Sequence, residues 1–246
     1  MKILITGATS GIGQATAALC AKKGHDLILT GRRLDRLQAL QQQLGSAHTK
    51  IAAFDLTDKA QTQKFLKDFR DELSQVDVLI NNAGLAKGVE KMQHAKFEDW
   101  EQMMNTNVMG LLALTHGILP HLVARKAGHI VNLGSVAGRW TYPGGGVYCA
   151  TKFAVRALSE GLRMDLMGKN IRVTNIEPGM VNTEFSLVRF ADAEKADAVY
   201  AGMKPLTAED IAETIVWTLE RPTHVNIQEL VIFPTDQAGL GLVHRS

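Results

Sequence analysis

Three consecutive apolar residues, Ile3-Leu4-Ile5, run directly into Thr6-Gly7-Ala8-Thr9-Ser10-Gly11-Ile12-Gly13, and a helical pattern follows from Gln14 to Lys23. No other stretch restricts the fold as strongly. A short unbroken apolar run closed by glycines reads as a buried strand, here Lys2 to Thr6. The glycines let the backbone turn sharply and let a ligand phosphate come close. A helix opening behind them presents free N–H groups and the positive end of its dipole to that phosphate. The spacing, G-x-x-x-G-x-G, departs from the ordinary dinucleotide fingerprint G-x-G-x-x-G, and a plain βα loop has a similar composition. Taken alone, the turn does not separate a phosphate cradle from such a loop; the rest of the chain decides.

Strand-like and helix-like segments then alternate to the end of the chain. His25 to Thr30, Lys50 to Phe54, Val76 to Ile80, Gly128 to Gly134, Ile171 to Ile176 and Ile227 to Phe233 read as strands. Helical patterns cover Leu34 to Leu44, Lys59 to Leu73 (capped by Thr57 or Asp58), Phe97 to Leu119, and Val147 to about Met167. A capping box at Thr207 to Asp210 opens another, reaching Glu220. This alternation predicts an α/β fold with a parallel sheet and right-handed crossovers. The 246 residues suit one such domain, and 46% hydrophobic against 21% charged residues supply its core. Residues 180–206 have little regular pattern beyond a short helix within 191–203, and a long connection at a ligand-binding edge reads as a lid. The tail, 234–246, keeps Leu240, Leu242 and Val243 and is expected to pack on the body or on a neighbour.

Several function classes drop out. The net charge is +2 with scattered basic residues, so neither nucleic acid nor a membrane surface is an implied partner. The N-terminus lacks the shape of a signal peptide and no apolar run reaches about 18 residues, which predicts a soluble, cytoplasmic protein. Cys20 and Cys149 have no CxxC spacing, and the histidines form no ligand pair, so no disulfide and no metal are expected.

The chemistry concentrates in four places. Gly31-Arg32-Arg33 follows the second strand, where an acidic residue holds a ribose 2′-OH and arginine accepts a 2′-phosphate; two arginines and no carboxylate point to NADP(H). Asp55, beside Leu56 at the third strand end, either accepts from an adenine amino group or is a second cap. Small residues in Asn81-Asn82-Ala83-Gly84 let a flat ring or sugar approach the backbone. Finally, Tyr148 and Lys152 stand four residues apart, on one helix face, with Ser135 upstream. A cation beneath the phenol lowers its pKa from about 10 toward neutrality and makes it an acid and base. Gly144, Gly145 and Gly146 read as a mobile approach to that helix, and Cys149 as a packed residue. The residues around Ser135 lack the glycines of a hydrolase G-x-S-x-G elbow. Asn107 is polar within a helix apolar on several faces, and such a helix predicts a subunit interface.

In this order, TGATSGIG (Thr6 to Gly13), NNAG (Asn81 to Gly84), Asn107, Ser135, Tyr148-x-x-x-Lys152 and PGMVNT (Pro178 to Thr183) make the chain closely resemble the short-chain dehydrogenase/reductase family. The resemblance covers essentially the whole chain. It implies a single Rossmann-like domain, residues 1–246, with a doubly wound seven-stranded sheet in the order 3-2-1-4-5-6-7, helices on both faces, and a homo-oligomer, a tetramer first. It implies Tyr148 as acid/base, Lys152 as the cation that tunes it and binds the nicotinamide ribose, Ser135 as the holder of the substrate oxygen, and Asn107 as the holder of a water. It also adds Pro178, Gly179, Val181 and Thr183 to the coenzyme contacts. ILTGRR, NNAGLAKG, IEPGMVNTEFSLVRF and the tail from His224 resemble the NADP-dependent 3-hydroxy acid dehydrogenase branch. That branch acts on serine, L-allo-threonine or 3-hydroxy acids and reduces malonic semialdehyde in reverse. A carboxylate substrate requires a cation: Arg189 in the lid is the candidate, with Arg139 and Lys87 behind it. A reductase of other carbonyls, such as 3-oxoacyl thioesters, and a non-catalytic nucleotide sensor on the same fold are the alternatives.

Overall fold

The computed structural model describes residues Met1–Ser246. Seven strands, β1 (Lys2–Ile5), β2 (Asp26–Gly31), β3 (Thr49–Ala53), β4 (Val78–Asn81), β5 (Gly128–Leu133), β6 (Ile171–Pro178) and β7 (Glu229–Ile232), form one parallel sheet in the order β3-β2-β1-β4-β5-β6-β7. β1 and β4 are adjacent, and there the order of strands reverses. The site opens beyond the carboxyl ends of these strands, at the switch point of the doubly wound fold.

Each sheet face is covered by helices. On one face, α1 (Gly11–Lys22), α2 (Leu34–Leu44) and α10 (Ala208–Leu219) bury Ile3, Ile5, Leu27, Leu29, Ile80 and Val131. On the other, α3 (Lys59–Asp68), α4 (Arg70–Leu73), α6 (Leu111–Arg125) and α7 (Gly146–Asp165) cover Leu4, Ile28, Leu79 and Ile130. Successive side chains of a strand point to opposite faces, which is why a run such as Ile3-Leu4-Ile5 feeds both cores.

The second face carries a polar row near the site. Asn81, Asn132 and Asn175 pair in register across β4, β5 and β6. Asn81 Nδ2 donates to Asn132 Oδ1 and to Thr115 Oγ1 of α6, both at 2.9 Å, and Asn132 Nδ2 donates to Ser159 Oγ of α7 at 2.8 Å. Buried amides require such partners. Here they bind two helices to the ends of β4 and β5, each followed by a segment that lines the site, while Asn175 Nδ2 donates to Glu177 Oε1 within β6 at 2.7 Å.

Several boundaries differ from the expected ones. The helix expected over 59–73 breaks at Phe69 (φ −101°, ψ 17°) into α3 and α4, with Asp58 rather than Thr57 as the cap. The pattern from Phe97 is α5 (Phe97–Met104), a π turn over Asn105–Gly110, then α6. By length and composition the continuous helical stretch Phe97–Arg125 could cross a membrane, yet Leu111, Leu114, Ile118 and Leu122 lie in the core. Residues 180–206 hold two short helices, α8 (Glu184–Phe190) and α9 (Ala193–Ala198), capped by Thr183 and Asp192. Seven residues make under two turns, too short a period for α8 to be seen in the sequence. The capping box at Thr207 and Asp210 is formed. In the tail, β8 (Gln237–Gly239) pairs antiparallel with β9 (Leu242–Val243). Gln237 Oε1 accepts from Met180 N at 2.8 Å and Ser246 N donates to Gly202 O at 2.9 Å, so the tail packs on 180–206.

Candidate active site

A cavity of about 640 Å³ runs along the carboxyl ends of the strands, from the turn after β1 to α8. That volume lies within the range of small-molecule and cofactor sites. Its first wall is the glycine turn. Gly7 adopts φ +65°, a left-handed conformation that suits glycine, and a Cβ there would meet Ala83 Cα at 2.9 Å. A Cβ on Gly13 would stand 2.4 Å from Gly7 O. Thr6 Oγ1 accepts from Asn82 N (3.0 Å) and Ala83 N (2.9 Å), and Asn82 Nδ2 donates to Thr6 O (2.9 Å) and Gly7 O (3.1 Å). The turns after β1 and β4 are therefore one bonded unit. α1 begins there with Ser10 as a cap whose side chain takes no hydrogen bond from the helix N–H groups, and with no acid in its first turn. Its unpaired N–H groups suit an anion, so this wall fits a dinucleotide pyrophosphate.

The two arginines behave differently. Arg33 is locked: Nε and Nη2 donate to Thr9 Oγ1, Nη2 donates to Ser10 Oγ at 2.9 Å, and Nη1 donates to Glu184 Oε2 at 3.0 Å. Arg32 is 60% exposed, with only Asp55 Oδ2 nearby at 3.9 Å. Asp55 Oδ1 closes a local turn with Thr57 N and Oγ1 (2.9 and 2.8 Å), while Asp58 takes the helix cap. Both arginines, Asp55 and Leu56 line the cavity, a set that fits a 2′-phosphorylated adenosine.

At the other end β5 and α7 meet. Ser135 follows β5 with extended backbone; its Oγ accepts from Ala137 N at 3.1 Å and donates to Pro178 O at 3.4 Å. Tyr148 and Lys152 occupy the first two turns of α7, both buried. Lys152 Nζ donates to Leu133 O at 2.7 Å and lies 5.9 Å from the Tyr148 ring centroid. The expected lowering of the Tyr148 pKa is not found. Burial, and after it the neighbouring Tyr142, push the phenol up, against the nearby Ser135 hydroxyl and the charge of Arg189, and burial lowers Lys152 to about 8. In this dry corner desolvation outweighs the i, i+4 attraction that the spacing suggests.

The sequence-derived set is mostly brought together. Gly7, Thr9, Ser10, Gly11, Ile12, Asn82, Ala83, Gly84, Pro178, Gly179, Val181, Thr183 and Arg189 all line the cavity. Ala8, Gly13 and Asn107 do not. Ala8 is fully buried with its N–H on Thr30 O, and Gly13 is packed behind Gly7. Asn107 stands behind the wall: Oδ1 accepts from Leu85 N and Nδ2 donates to Leu85 O, both at 2.8 Å, with Thr151 Oγ1 at 3.0 Å. Its amide splints the loop after β4 to α7, a role the sequence does not disclose. Arg139 is excluded as a substrate cation because it ion-pairs with Glu177 and Glu229, and Lys87 lies outside the cavity. Gly144 and Gly145 are not an open approach, and Gly146 is the first residue of α7. A Cβ on Gly144 (φ +75°) would meet Val89 O at 2.0 Å, and one on Gly145 would meet the Tyr142 ring at 2.3 Å. Cys149 is packed, as expected. Tyr142, Phe185 and Glu184 are lining residues that sequence reasoning misses. Each lies in an irregular or short segment with no periodic signal.

The family model for short chain dehydrogenases matches residues 1–194. Serine 3-dehydrogenase of Rhizobium radiobacter is 50% identical over 240 residues, 97% of this chain and 96% of the relative. An NADP-dependent 3-hydroxy acid dehydrogenase of Salmonella typhimurium is 47% identical, with both chains covered completely. Among solved structures, the closed form of a serine dehydrogenase complexed with NADP+ matches with a TM-score of 0.95 at 46% identity over 100% of both chains.

Proposed function

The chain belongs to the short-chain dehydrogenases, and from that premise we propose that it is an NADP-dependent oxidoreductase acting on the 3-hydroxyl of small hydroxy acids. One observation carries this reading: a single cavity has a glycine turn and two arginines at one end and Ser135, Tyr148 and Lys152 at the other. Relatives named for serine and for 3-hydroxy acids support the substrate class.

NADP(H), when bound, accepts or supplies the hydride. The chain's own residues do the rest. Gly7, Thr9 to Ile12 and the α1 N-terminus would hold the pyrophosphate, and Arg32 and Arg33 the 2′-phosphate. Asn82 to Gly84, Pro178, Gly179, Val181 and Thr183 form the bed beneath the nicotinamide half. Ser135 Oγ holds the substrate oxygen. Tyr148 Oη takes the hydroxyl proton during oxidation and returns it during reduction. Lys152 carries the neighbouring positive charge and binds the ribose. Asn107 fixes the geometry of Leu85 and Thr151 with its amide, which leaves any water to its main-chain atoms in the π turn. Arg189 takes the substrate carboxylate, and residues 180–206 form the lid that carries it. A homo-oligomer, a tetramer first, fits the exposed Met104 and Met109 on the α5–α6 helix; gel filtration showing only monomer at micromolar protein would overturn it.

The test is a panel of initial rates with NADP+ and NAD+ against L-serine, L-allo-threonine, 3-hydroxyisobutyrate and 3-hydroxypropionate, with malonic semialdehyde in reverse. NADP+ should be strongly preferred and at least one hydroxy acid turned over. Preference for NAD+ would overturn the arginine assignment. Turnover of 3-oxoacyl thioesters alone would overturn the substrate class.

A further inference from the structure

The cation assigned to the substrate carboxylate does not stand alone. Arg189 sits near the end of α8, and three separate segments hold it. Its Nη1 donates to Tyr142 Oη at 2.8 Å, and its Nε donates to Gly88 O at 3.1 Å. In return Gly88 N donates to Arg189 O at 3.2 Å, so loop and helix clasp one another. The guanidinium carbon lies 5.3 Å from the centroid of the Tyr142 ring and 5.9 Å from that of Tyr148. Nη2 makes no hydrogen bond within the chain and keeps two donors for a ligand.

Tyr142 is itself seated by the chain around it. Its ring lies where a side chain on Gly145 would be, with Cε2 and Cζ 2.3 Å from a Cβ built there. Only glycine at 145 admits this ring position. Gly144 admits Val89 O in the same way, one residue beyond the Gly88 carbonyl that Arg189 uses. The glycines before α7 thus shape two of the surfaces that aim Arg189.

We propose that Tyr142, seated on Gly145, is a positioning residue that aims Arg189 at the substrate carboxylate, and so sets the preference for acids over neutral alcohols. The Tyr142 phenol holds the guanidinium at Nη1 and the Gly88 carbonyl holds it at Nε, and two anchors on a planar fork fix the direction of the remaining nitrogen. A flexible arginine loses rotamer freedom on binding an anion; one held in place loses less, and the affinity rises accordingly. The inference rests on the reading of Arg189 as the carboxylate ligand. Tyr142 touches neither the acid/base proton nor the coenzyme in this assignment.

Tyr142→Phe keeps the ring and removes the acceptor. We expect KM for 3-hydroxypropionate and L-serine to rise about 10-fold, the scale of one hydrogen bond to a charged group. KM for the neutral methyl 3-hydroxypropanoate should rise far less, with kcat for the acids changed little. Calorimetric Kd for malonate on the NADP+-saturated protein should rise in parallel. In an Arg189→Ala background Tyr142→Phe should add no further loss for the acids. Gly145→Ala, which displaces the ring, should give the same acid-selective loss and serves if Tyr142→Phe does not fold. If Arg189→Ala weakens acids selectively while neither Tyr142→Phe nor Gly145→Ala does, the positioning role is wrong and the carboxylate assignment stands. If Arg189→Ala weakens acid and neutral substrates alike, the carboxylate assignment itself is wrong. Equal weakening of both substrate types by Tyr142→Phe also overturns the inference.

Discussion

The two ends of the cavity handle charge in opposite ways. At the glycine-turn end the charged groups face water: Arg32 is 60% exposed and Asp55 38% exposed. At the Tyr148 end the titratable groups are buried, and burial moves each toward its neutral form, the phenol up and the Lys152 ammonium down to about 8. The wet end can recognise a charge through arginine forks, at the cost of screening by salt. The dry end is where protonation answers to the surroundings: at neutral pH desolvation narrows the gap between the two protonation states of Lys152 and widens it for Tyr148. One continuous cavity thus separates recognition from proton transfer by solvent access.

Tyr148→Phe is the strongest test of that division. It should cost about 10²–10⁴-fold in turnover, the usual contribution of a positioned acid/base, while the Kd for NADP+ stays within about twofold. Near-normal turnover would remove the phenol from the chemistry. A large loss of coenzyme affinity would show that the dry end also carries recognition, and the division would fail.

Next in size are the arginines. Arg32→Ala should weaken NADP+ by about 10- to 100-fold and leave NAD+ nearly unchanged, since hydrogen bonds to a charged group are worth about 1.5–3 kcal/mol. The wild-type affinity should fall with added salt, and that dependence should shrink in the variant. Arg33→Ala should do more than this, because Arg33 also binds Glu184 at the start of α8. Alongside the loss of NADP+ affinity, KM for the hydroxy acid should rise. Identical profiles for the two variants would mean that Arg33 is only another phosphate ligand.

Much of the wet end is readable from sequence because strand, turn and helix signals coincide with its chemistry. Ile3-Leu4-Ile5 before Gly7, and Gly31 before Arg32, mark strand ends, and strand ends are where such folds bind ligands. The seven-stranded order comes from resemblance; alternation alone predicts only a parallel sheet. Tyr148, Lys152 and Ser135 are legible for the same reason, being at the end of β5 and the start of α7. Their electrostatics are not, since the expected lowering of the phenol depends on a competition between burial and a charge that spacing cannot weigh. Asn107 stands out in the sequence, yet its bond to Leu85 joins residues 22 apart through a π turn that has no sequence period. Tyr142, Glu184 and the Gly88–Arg189 clasp are unreadable because contacts between irregular segments are set by tertiary packing. The glycines at 144–146 are conspicuous but ambiguous: a glycine run signals either freedom or close approach, and only the Val89 and Tyr142 neighbours decide for the second.

The smallest expected effect concerns stability and isolates the dry end without any substrate. In the coenzyme-free protein Lys152 titrates at about 8, against an ordinary 10.5. Below pH 8 the folded and unfolded chains both hold the proton, and the cost of burying the ammonium is fully present. Between about 8 and 10.5 the unfolded chain holds the proton and the folded chain has released it, so unfolding takes up a proton and stability rises with pH. Tyr148 acts in the opposite sense only above its ordinary value of 10.0, where the folded chain keeps a proton the unfolded chain loses. Cys20 and Cys149, whose thiols burial pushes up from 9.0, also act in that opposite sense from about pH 9, so the Lys152 contribution is read as the difference from a variant that lacks only the lysine. Urea unfolding of the wild type and of Lys152→Met at pH 7 and pH 10 should show the wild type gaining on the order of 2 kcal/mol relative to the variant across that interval. The lost bond to Leu133 O adds a constant offset that the pH comparison cancels. A difference that does not change with pH would mean that Lys152 keeps its ordinary pKa, and the dry end would then be no drier than the other.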